Sequence, residues 1–461
     1  MKGNKIILKS LDVKYEQNMH RTVDSEKTLF LLEKFARMNN ILKEIKRIDF
    51  LVNNIDLNIP VFIAERSANN WFKSESYDNE NVKSLNYTNI YSYGKGFTEN
   101  QAKVSCIGEA LERYYAIYFD EDDIIRGKKA EELTSYRVIT PEKIDYMSEE
   151  NYMLFKKYYS NTKFNHPKFK RYVLDLPIDW TNAYSISKEE EVFVPCISTY
   201  LHFKPSSNSY FCNQMNTNGI SLGNNLEESI LQGLFEVIER DSIMIFLRAP
   251  VFLPEVDVSS FPQEYIKSMV YNIQRAGLKL KVKDITSDIG IPVFCAQIFN
   301  DSFNELPQYK DGYGCHLYPE IALSRAITEC IQGLFAANFL KNLDRSVKFV
   351  DIKEPPHSGL SLNSKLNRYQ DYKVVSIKDL REQIVYCIDK LDKLGMEVIV
   401  KILKNNKYFV VSKVLVVGSA TCDQRIFPTF MSDRVYSVPQ KMGYSDRNFK
   451  YEDLFLGPLN I

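Results

Sequence analysis

The chain has 461 residues, 44% of them hydrophobic, which is enough to bury a core of considerable size. Lysine plus arginine equals aspartate plus glutamate at 59 each, so no overall field attracts nucleic acid or an anionic membrane, and neither is expected as a partner. The N-terminus lacks the apolar run of a signal peptide, and no apolar stretch approaches the roughly 20 residues of a membrane span, which predicts a cytoplasmic protein.

The chain opens with a segment that differs in character from the rest. Residues 1–60 contain the strand-like KIILKSL and the helix-like DSEKTLFLLEKFARMNNILKEIKRIDFL, and we interpret them as an N-terminal extension, either a docking element or a helical lid. The strand-like IPVFIAE then opens the main domain, which is predicted over residues 61–461. No long Gly, Pro or Ser linker divides this domain, so we expect one intertwined α/β unit.

The first acidic helix is predicted in SCIGEALERYYAIYF, where apolar residues recur at helical spacing. Glu109 and Glu112 lie roughly opposite that apolar stripe, and Arg113 follows them. Ser105 precedes Glu109 by one helical turn, so its hydroxyl either faces the same side or bonds the preceding carbonyl. Before the helix, Lys95 in GKGFT lies either in a turn that offers an ammonium and free amides to phosphate or in an ordinary hairpin turn.

The same Glu-x-x-Glu-Arg signature returns in a second predicted helix, QGLFEVIERDSIMIF. Glu236 and Glu239 share one edge of this helix with Glu228, away from the apolar residues, and Arg240 follows them. Asn224 precedes the helix and is either a ligand of nucleotide or metal or part of a helix cap, and both roles are compatible.

A third predicted helix, SRAITECIQGL, aligns Arg325, Glu329 and Gln332 on one edge. His316 lies ahead of it and is either a proton relay or structural, as a lone histidine more often is. Residues 341–461 add one more helix and two strands, EVIVKIL and YFVVSKVLVVG. The eight cysteines form no close pair with metal-ligand spacing, and we predict that they are reduced core residues.

The three acidic faces indicate a site that is at least partly buried. Small residues such as Gly233 and Cys330 and large apolar ones such as Phe235 and Phe335 lie near the charges. Buried carboxylates repel one another and must be neutralised by protons, by arginine or by cations. Oxygen-rich sites suit Mg²⁺, which usually bridges to phosphate, so we predict a magnesium–polyphosphate site. The alternatives are ordinary wet helix faces and buried salt bridges between helices.

Taken together and in order, these motifs resemble the YcaO family. The resemblance rests on Ser105 through Arg113, Asn224 through Arg240 and Arg325 through Gln332, and it extends to GKGFT, NGISLGNN and GYGCHLYPEIAL. It covers roughly residues 60–450. It implies an α/β (α+β) fold of intertwined subdomains, in which mixed and antiparallel sheets pack on the acidic helices.

The resemblance also implies ATP binding without a Walker motif, Mg²⁺ held by the acidic helices, and phosphorylation of a peptide amide oxygen. In agreement, the sequence contains no Gly-x4-Gly-Lys-Ser/Thr. The predicted magnesium ligands are Glu109, Glu112, Glu228, Glu239 and Glu329. The predicted nucleotide contacts are Lys95, Ser105, Arg113, Ser221, Asn224 and Gln332. The predicted catalytic groups are Arg240, Glu236, His316 and the terminal carboxylate of Ile461.

Arg113 and Arg240 each have two candidate roles. Either arginine pairs with neighbouring carboxylates, or it neutralises phosphate charge during transfer, and we favour pairing for Arg113 and phosphate for Arg240.

The resemblance is strongest to the stand-alone cyclodehydratase component, which implies conversion of Cys, Ser or Thr in a ribosomally made precursor peptide to thiazoline or oxazoline. Other branches form thioamides or amidines, and the chain departs from the cyclodehydratase pattern because it ends in YEDLFLGPLNI rather than a proline-rich tail. A partner protein that binds the leader peptide and a homodimer are further implications. A non-catalytic scaffold that binds the precursor peptide or a partner is the alternative from another class.

Overall fold

The computed structural model of the chain describes residues 5–16, 19–67, 91–117, 123–144, 149, 153, 172, 176–201, 203, 205–206, 216–301, 306–343, 365–420 and 432–454. In chain order the elements are β1 Lys14–Glu16, β2 Met19–Arg21, α1 Ser25–Met38, β3 Leu42–Arg47, β4 Val61–Arg66, β5 Tyr91–Lys95, α2 Glu99–Ile117, β6 Ile124–Lys128, β7 Arg137–Val138, α3 Pro141–Ile144, β8 Ile178–Ser185, β9 Glu190–Pro195, α4 Cys196–Thr199, β10 Ile220–Gly223, α5 Leu226–Phe246, β11 Glu255–Val256, α6 Glu264–Arg275, β12 Lys279–Asp284, β13 Val293–Phe299, β14 Tyr309–Cys315, α7 Pro319–Leu343, β15 Leu366–Asn367, α8 Leu380–Asp392, β16 Glu397–Asn405, β17 Val410–Val417 and α9 Asp433–Lys441.

The strands form three larger sheets and one small hairpin. The first sheet has the order β3-β4-β5, the second β10-β17-β16-β8-β9-β7 with β6 on β8, and the third β14-β13-β12-β11-β15, while β1 pairs with β2. Among these pairs, only β7 with β9 and β11 with β15 are parallel in the described residues. The mixed, mostly antiparallel architecture confirms the predicted fold class.

Each larger sheet has an edge strand that leads through a short turn into a long helix. β5 leads into α2, β10 into α5 and β14 into α7, and each helix packs on its own strand. Glycine makes this approach possible, because a Cβ on Gly94 would lie 2.2 Å from the Ala102 carbonyl oxygen of α2, and one on Gly312 would lie 2.1 Å from the Cys330 amide nitrogen of α7. The three acidic helices therefore start at three sheet edges.

The N-terminal residues pack into the body of the molecule. Ile6 joins the largest hydrophobic core, which lies around α5 and α8. Leu32 belongs to the core between α1 and α2, and Val52 to the core around α6 and α7. The predicted N-terminal extension thus contributes to each of these three hydrophobic cores.

Two further sequence predictions bear on the described chain. Its six cysteines, which are Cys106, Cys196, Cys295, Cys315, Cys330 and Cys387, are buried and free, whereas positions 212 and 422 lie outside the described residues. Every helix in the described ranges is too short or too polar to cross a bilayer.

Candidate active site

The acids of α2 hold the edge strands of two different sheets. One oxygen of Glu109 accepts a hydrogen bond from the Tyr93 N–H of β5 (2.6 Å), and the other pairs with Arg113 (3.2 Å). Glu112 accepts from the Leu222 N–H of β10 (2.8 Å). An edge strand leaves some of its amides without a strand partner, and these carboxylates accept hydrogen bonds from two such amides. The two acids of α2 thereby join two sheets at the site.

Glu236, Glu239 and Arg240 of α5 continue this line of charges. Burial raises the pKa of Glu236 against the opposing charge of Arg240 and the nearby Gly219 amide, and Glu236 interacts electrostatically with Glu112 and with Glu239. Burial lowers the pKa of Arg240, but the charges of Glu239 and Glu236 outweigh burial and raise it. Arg240 is therefore a permanent cation among carboxylates.

Glu329 and Arg325 of α7 complete the line. Glu329 pairs with Lys95 of β5 at 2.9 Å. β5 belongs to a different sheet from β14, the strand that leads into α7. Arg325 donates to the side-chain oxygen of Gln232 on α5 (2.8 Å). Burial alone would raise the pKa of Glu329, but the cations Lys95 and Arg240 outweigh burial and lower it. Charges from three helices and from the edge strand β5 therefore meet here.

We refer to Glu109, Glu112, Glu236, Glu239 and Glu329 as the carboxylate row. Burial is the main reason that the pKa of Glu112 is raised to about 8, and repulsion by Glu236 adds to it. Burial also raises the pKa of Glu239, with repulsion by Glu329 as the second cause. A cation bound beside these carboxylates would offset both burial and repulsion and would favour their charged form.

The carboxylate row fits Mg²⁺ bound together with a polyphosphate. Within the described ranges, no group of three Asp, Glu, His or Cys side chains is arranged to hold an ion by itself. Mg²⁺ commonly takes one or two carboxylates and fills its other positions with water and phosphate oxygens, so a row of separated acids suits it. Arg240, Arg325 and Lys95 lie beside the row and carry the positive charge that phosphate oxygens require.

Glu228 lies at the start of α5, where its carboxylate accepts four hydrogen bonds. Two come from the N–H (2.7 Å) and hydroxyl (2.6 Å) of Thr22, and two from the N–H (3.0 Å) and side-chain amide (2.9 Å) of Asn224. Asn224 also accepts from the Thr28 hydroxyl (2.9 Å), while Asn225 caps α5 by accepting from the Glu228 N–H (2.9 Å). In this geometry Glu228 holds the N-terminal segment to α5, and its binding of metal stays a prediction.

The remaining predicted nucleotide contacts have different surroundings. The Ser221 hydroxyl donates to the Ser229 carbonyl, and the Ser229 hydroxyl donates to the Ser221 carbonyl (2.8 Å), so this pair joins β10 to α5. Ser105 and Gln332 are half-buried on α2 and α7, the helices that carry the row. Ile461 lies outside the described residues. The functional roles of all four stay predictions.

His316 lies in the turn between β14 and α7 and is buried. Its Nδ1 accepts a hydrogen bond from the Tyr318 N–H (3.1 Å), and its ring centroid lies 4.7 Å from that of Phe235 and 5.4 Å from that of His20. Burial lowers the pKa of His316 well below its usual range, and His20 lowers it further. A neutral ring in aromatic surroundings favours the structural alternative over the proton relay.

Arg21 is a candidate site residue that sequence reasoning missed. It ends β2 and interacts electrostatically with Glu228, Arg325 and Glu112, while burial is the main cause that lowers its pKa. The next residue, Thr22, binds Glu228 as described above. No spacing or periodicity in the sequence marks a short strand so far from the acidic helices, so the pattern offered no signal for Arg21.

A family model described as YcaO cyclodehydratase, ATP- and Mg²⁺-binding, matches residues 93–419, which include the whole carboxylate row. An uncharacterized protein of Methanothermobacter thermautotrophicus is 31% identical over 245 residues, which are 53% of this chain and 56% of that relative. The matched part of the chain therefore spans about half the length of this curated relative.

Two solved structures share the architecture. A heterocyclase in complex with substrate and cofactor has a TM-score of 0.84 at 24% identity, covering 99% of this chain and 59% of that chain. The heterocyclase TruD has a TM-score of 0.65 at 27% identity, covering 78% of this chain and 50% of that chain. The first of these likenesses, at its low identity, shows the fold alone.

Proposed function

Because the chain belongs to the YcaO cyclodehydratase family, we propose that it uses ATP and Mg²⁺ to phosphorylate the oxygen of a backbone amide in a ribosomally synthesised peptide. Attack by a neighbouring Cys, Ser or Thr side chain on the amide carbon, followed by loss of the phosphate, then gives a thiazoline or oxazoline. The net change in the peptide is the loss of one water.

The observation that carries the proposal is the carboxylate row together with its cations. Glu112 and Glu239 are acids whose burial raises their pKa, and each also faces another acid of the row, Glu236 and Glu329 respectively. Keeping such groups without a cation is unfavourable, so their arrangement supports a site for a divalent ion and not merely a set of salt bridges.

In this proposal the acidic side chains bind the Mg²⁺ ion, and the basic side chains neutralise the phosphates. Glu112, Glu239 and Glu329 are the candidate ligands of Mg²⁺, which supplies charge neutralisation at the phosphate oxygens when bound. Both carboxylate oxygens of Glu109 have a partner, one the Tyr93 N–H and the other Arg113. Glu109 therefore orients α2 against β5. This arrangement supports the pairing role of Arg113.

Phosphoryl transfer proceeds mainly through positioning and through neutralisation of charge. Arg240 keeps its positive charge among the acids and is the candidate group for the transferring phosphate. Lys95 and Arg325 lie on the same part of the row, and Lys95, which pairs with Glu329, would be available to phosphate if that carboxylate bound the ion. Arg21 offers one more cation at the end of the site near Glu228.

The substrate and partners follow from the same proposal. The precursor peptide is the substrate, a separate protein binds its leader segment, and the chain forms a homodimer in the cytoplasm. These expectations come from the family, and the charge balance of 59 basic to 59 acidic residues supports a partner other than nucleic acid or membrane.

The first experiment is thermal unfolding of the full chain with Mg²⁺ alone, ATP alone and both together. We expect a rise in Tm that requires both, since a ligand that binds only the folded state raises the midpoint. No rise at saturating concentrations would leave a scaffold that binds peptide or partner as the better account. Mass spectrometry of the treated precursor peptide then separates azoline formation, which loses water, from thioamide formation, which exchanges oxygen for sulfur.

A further inference from the structure

Lys413 is a buried cation that the proposed chemistry does not yet use. It lies on β17 and is 1% exposed. Lysine is almost never fully buried unless it is paired, because desolvation of an ammonium costs several kcal/mol. Its Nζ donates to the backbone carbonyl of Asn216 (3.0 Å) and to the Asn216 side-chain oxygen (3.3 Å).

Asn216 belongs to a segment, residues 216–223, that is fixed on β17 and includes β10. The Asn216 side-chain oxygen also accepts from the Asn218 N–H (3.2 Å), and the Gly219 carbonyl accepts from the N–H of Val414, the residue after Lys413 (2.8 Å). Gly219 has a φ of +76°, and a Cβ there would lie 2.2 Å from the Val414 carbonyl oxygen. The segment has little freedom to move independently of β17.

The same segment contacts the carboxylate row. The Leu222 N–H donates to Glu112 of α2 (2.8 Å), and the Gly219 amide lies near Glu236 of α5. Lys413 therefore holds one end of a segment that binds one acid of the row and lies beside another on a different helix. It also attracts Glu236 directly through its charge.

We propose that Lys413 is a positioning residue of the Mg²⁺–ATP site that acts through the 216–223 segment. By holding Asn216, it keeps the Leu222 amide directed at Glu112, and its charge holds Glu236 beside the same segment, so that both carboxylates present a fixed geometry to the ion. The inference rests on the proposed function, because it concerns the same site.

Lys401 offers a matched control. It lies directly opposite Lys413 in the register of β16 and β17 and is also buried, at 5% exposed. Its Nζ donates to the Asn182 side-chain oxygen (2.7 Å) and not to the 216–223 segment. Lys401→Met therefore removes a buried ammonium from the neighbouring position and leaves the support of the carboxylate row in place.

The test measures binding of the non-hydrolysable analogue AMPPCP to the full chain by titration calorimetry at a series of free Mg²⁺ concentrations. For Lys413→Met we expect the Mg²⁺ concentration at half-maximal binding to rise about tenfold, and for Lys401→Met to stay within about twofold of the unmodified chain. Equal Mg²⁺ dependence in the two variants would overturn the inference and leave the proposed function standing. Absence of Mg²⁺-dependent binding in the unmodified chain would overturn both.

A second variant decides the matter if Lys413→Met does not fold. Asn216→Ala removes the side-chain acceptor of Lys413 from a turn, where it disturbs the sheet less. We expect a rise of about threefold in the same Mg²⁺ concentration. An unchanged value in folded Asn216→Ala protein would contradict the positioning role.

Discussion

The two ends of the carboxylate row are held in different ways. At the α2 end, Glu109 and Glu112 accept hydrogen bonds from the backbone amides of two sheet edges. At the other end, Glu329 is held by the side chain of Lys95, which is 23% exposed. Backbone donors are fixed by the fold, whereas a lysine side chain can exchange its partner at little cost. The first end sets geometry, and the second end can respond to a ligand.

The largest effect is expected for Glu239, which lies between the two ends. We expect Glu239→Gln to reduce AMPPCP affinity in the presence of Mg²⁺ by about a hundredfold or more, since it removes a charged ligand beside Glu329 and Arg240. Without ligand the variant should be at least as stable as the unmodified chain, because a buried acid with a raised pKa is replaced by a neutral amide. Calorimetry and thermal unfolding measure the two quantities.

Glu320→Gln is the matched control for this prediction. Like Glu239 of α5, Glu320 is a buried acid. It lies in the first turn of α7, where its side chain contacts the Tyr369 hydroxyl (3.5 Å). We expect it to leave nucleotide affinity unchanged. Equal losses in the two variants would mean that loss of any buried acid weakens binding and that the site assignment is wrong.

The backbone-held end can be tested with two substitutions of Glu112. Glu112→Gln keeps an oxygen for the Leu222 N–H and loses only the charge, whereas Glu112→Ala leaves that amide without its partner. We expect both to lose about tenfold or more in Mg²⁺-dependent affinity, and only Glu112→Ala to lose about 1–3 kcal/mol of unfolding free energy. Equal stability of the two variants would show that the amide has another acceptor.

The raised pKa of Glu112 predicts a pH dependence of stability in the absence of ligand. Its pKa rises from 4.5 to about 8 on folding, so the folded state binds the proton more tightly. The stabilisation is complete below the unfolded-state pKa and is lost as pH rises through about 8, with a slope of up to about 1.4 kcal/mol per pH unit for one group. Chemical denaturation between about pH 5 and pH 9 measures it. Glu112→Gln should flatten the profile, and an unchanged slope in that variant would assign the effect to other groups.

The smallest effect is expected at the exchangeable end. Lys95→Met should change the unfolding free energy by less than about 1 kcal/mol, because its pair with Glu329 is partly exposed. AMPPCP affinity should fall about fivefold to tenfold if Lys95 turns to phosphate when the ligand binds. Full affinity in this variant would restrict Lys95 to its ion pair. Lys103→Met on α2, which pairs with the exposed Glu99, is the control for loss of a lysine.

Periodicity in the sequence was sufficient to find the acids but not their partners. The helical spacing placed Glu109, Glu112, Glu236, Glu239 and Glu329 on the polar faces of three helices, and the structure brings these faces together. Apart from Arg113, which pairs with Glu109 one turn away on the same helix, the partners of the acids depend on tertiary contact, as with the Tyr93 and Leu222 amides. Such backbone donors carry no residue-type signal, so no reading of side chains could find them.

The alternatives that the local sequence left open at the start of α5 were resolved by the partner that each side chain contacts. The sequence left Asn224 as either a ligand or part of the cap of α5, and the structure assigns the cap to Asn225 while Asn224 binds Glu228 and Thr28. Arg21 was missed because its place near Glu228 of α5 and Arg325 of α7 depends on the tertiary structure. Long-range packing of short segments lies beyond what local patterns determine.

The joining of two sheet edges by α2 has a consequence for amide hydrogen exchange. The N–H groups of Tyr93 and Leu222 belong to different sheets, yet both donate to α2. Local opening of either edge breaks the site, so a ligand bound across it should slow exchange at both amides together, although they are far apart in the sequence. The site thus couples the opening of separate sheets, and its occupancy can be monitored at amides that need not contact the ligand themselves.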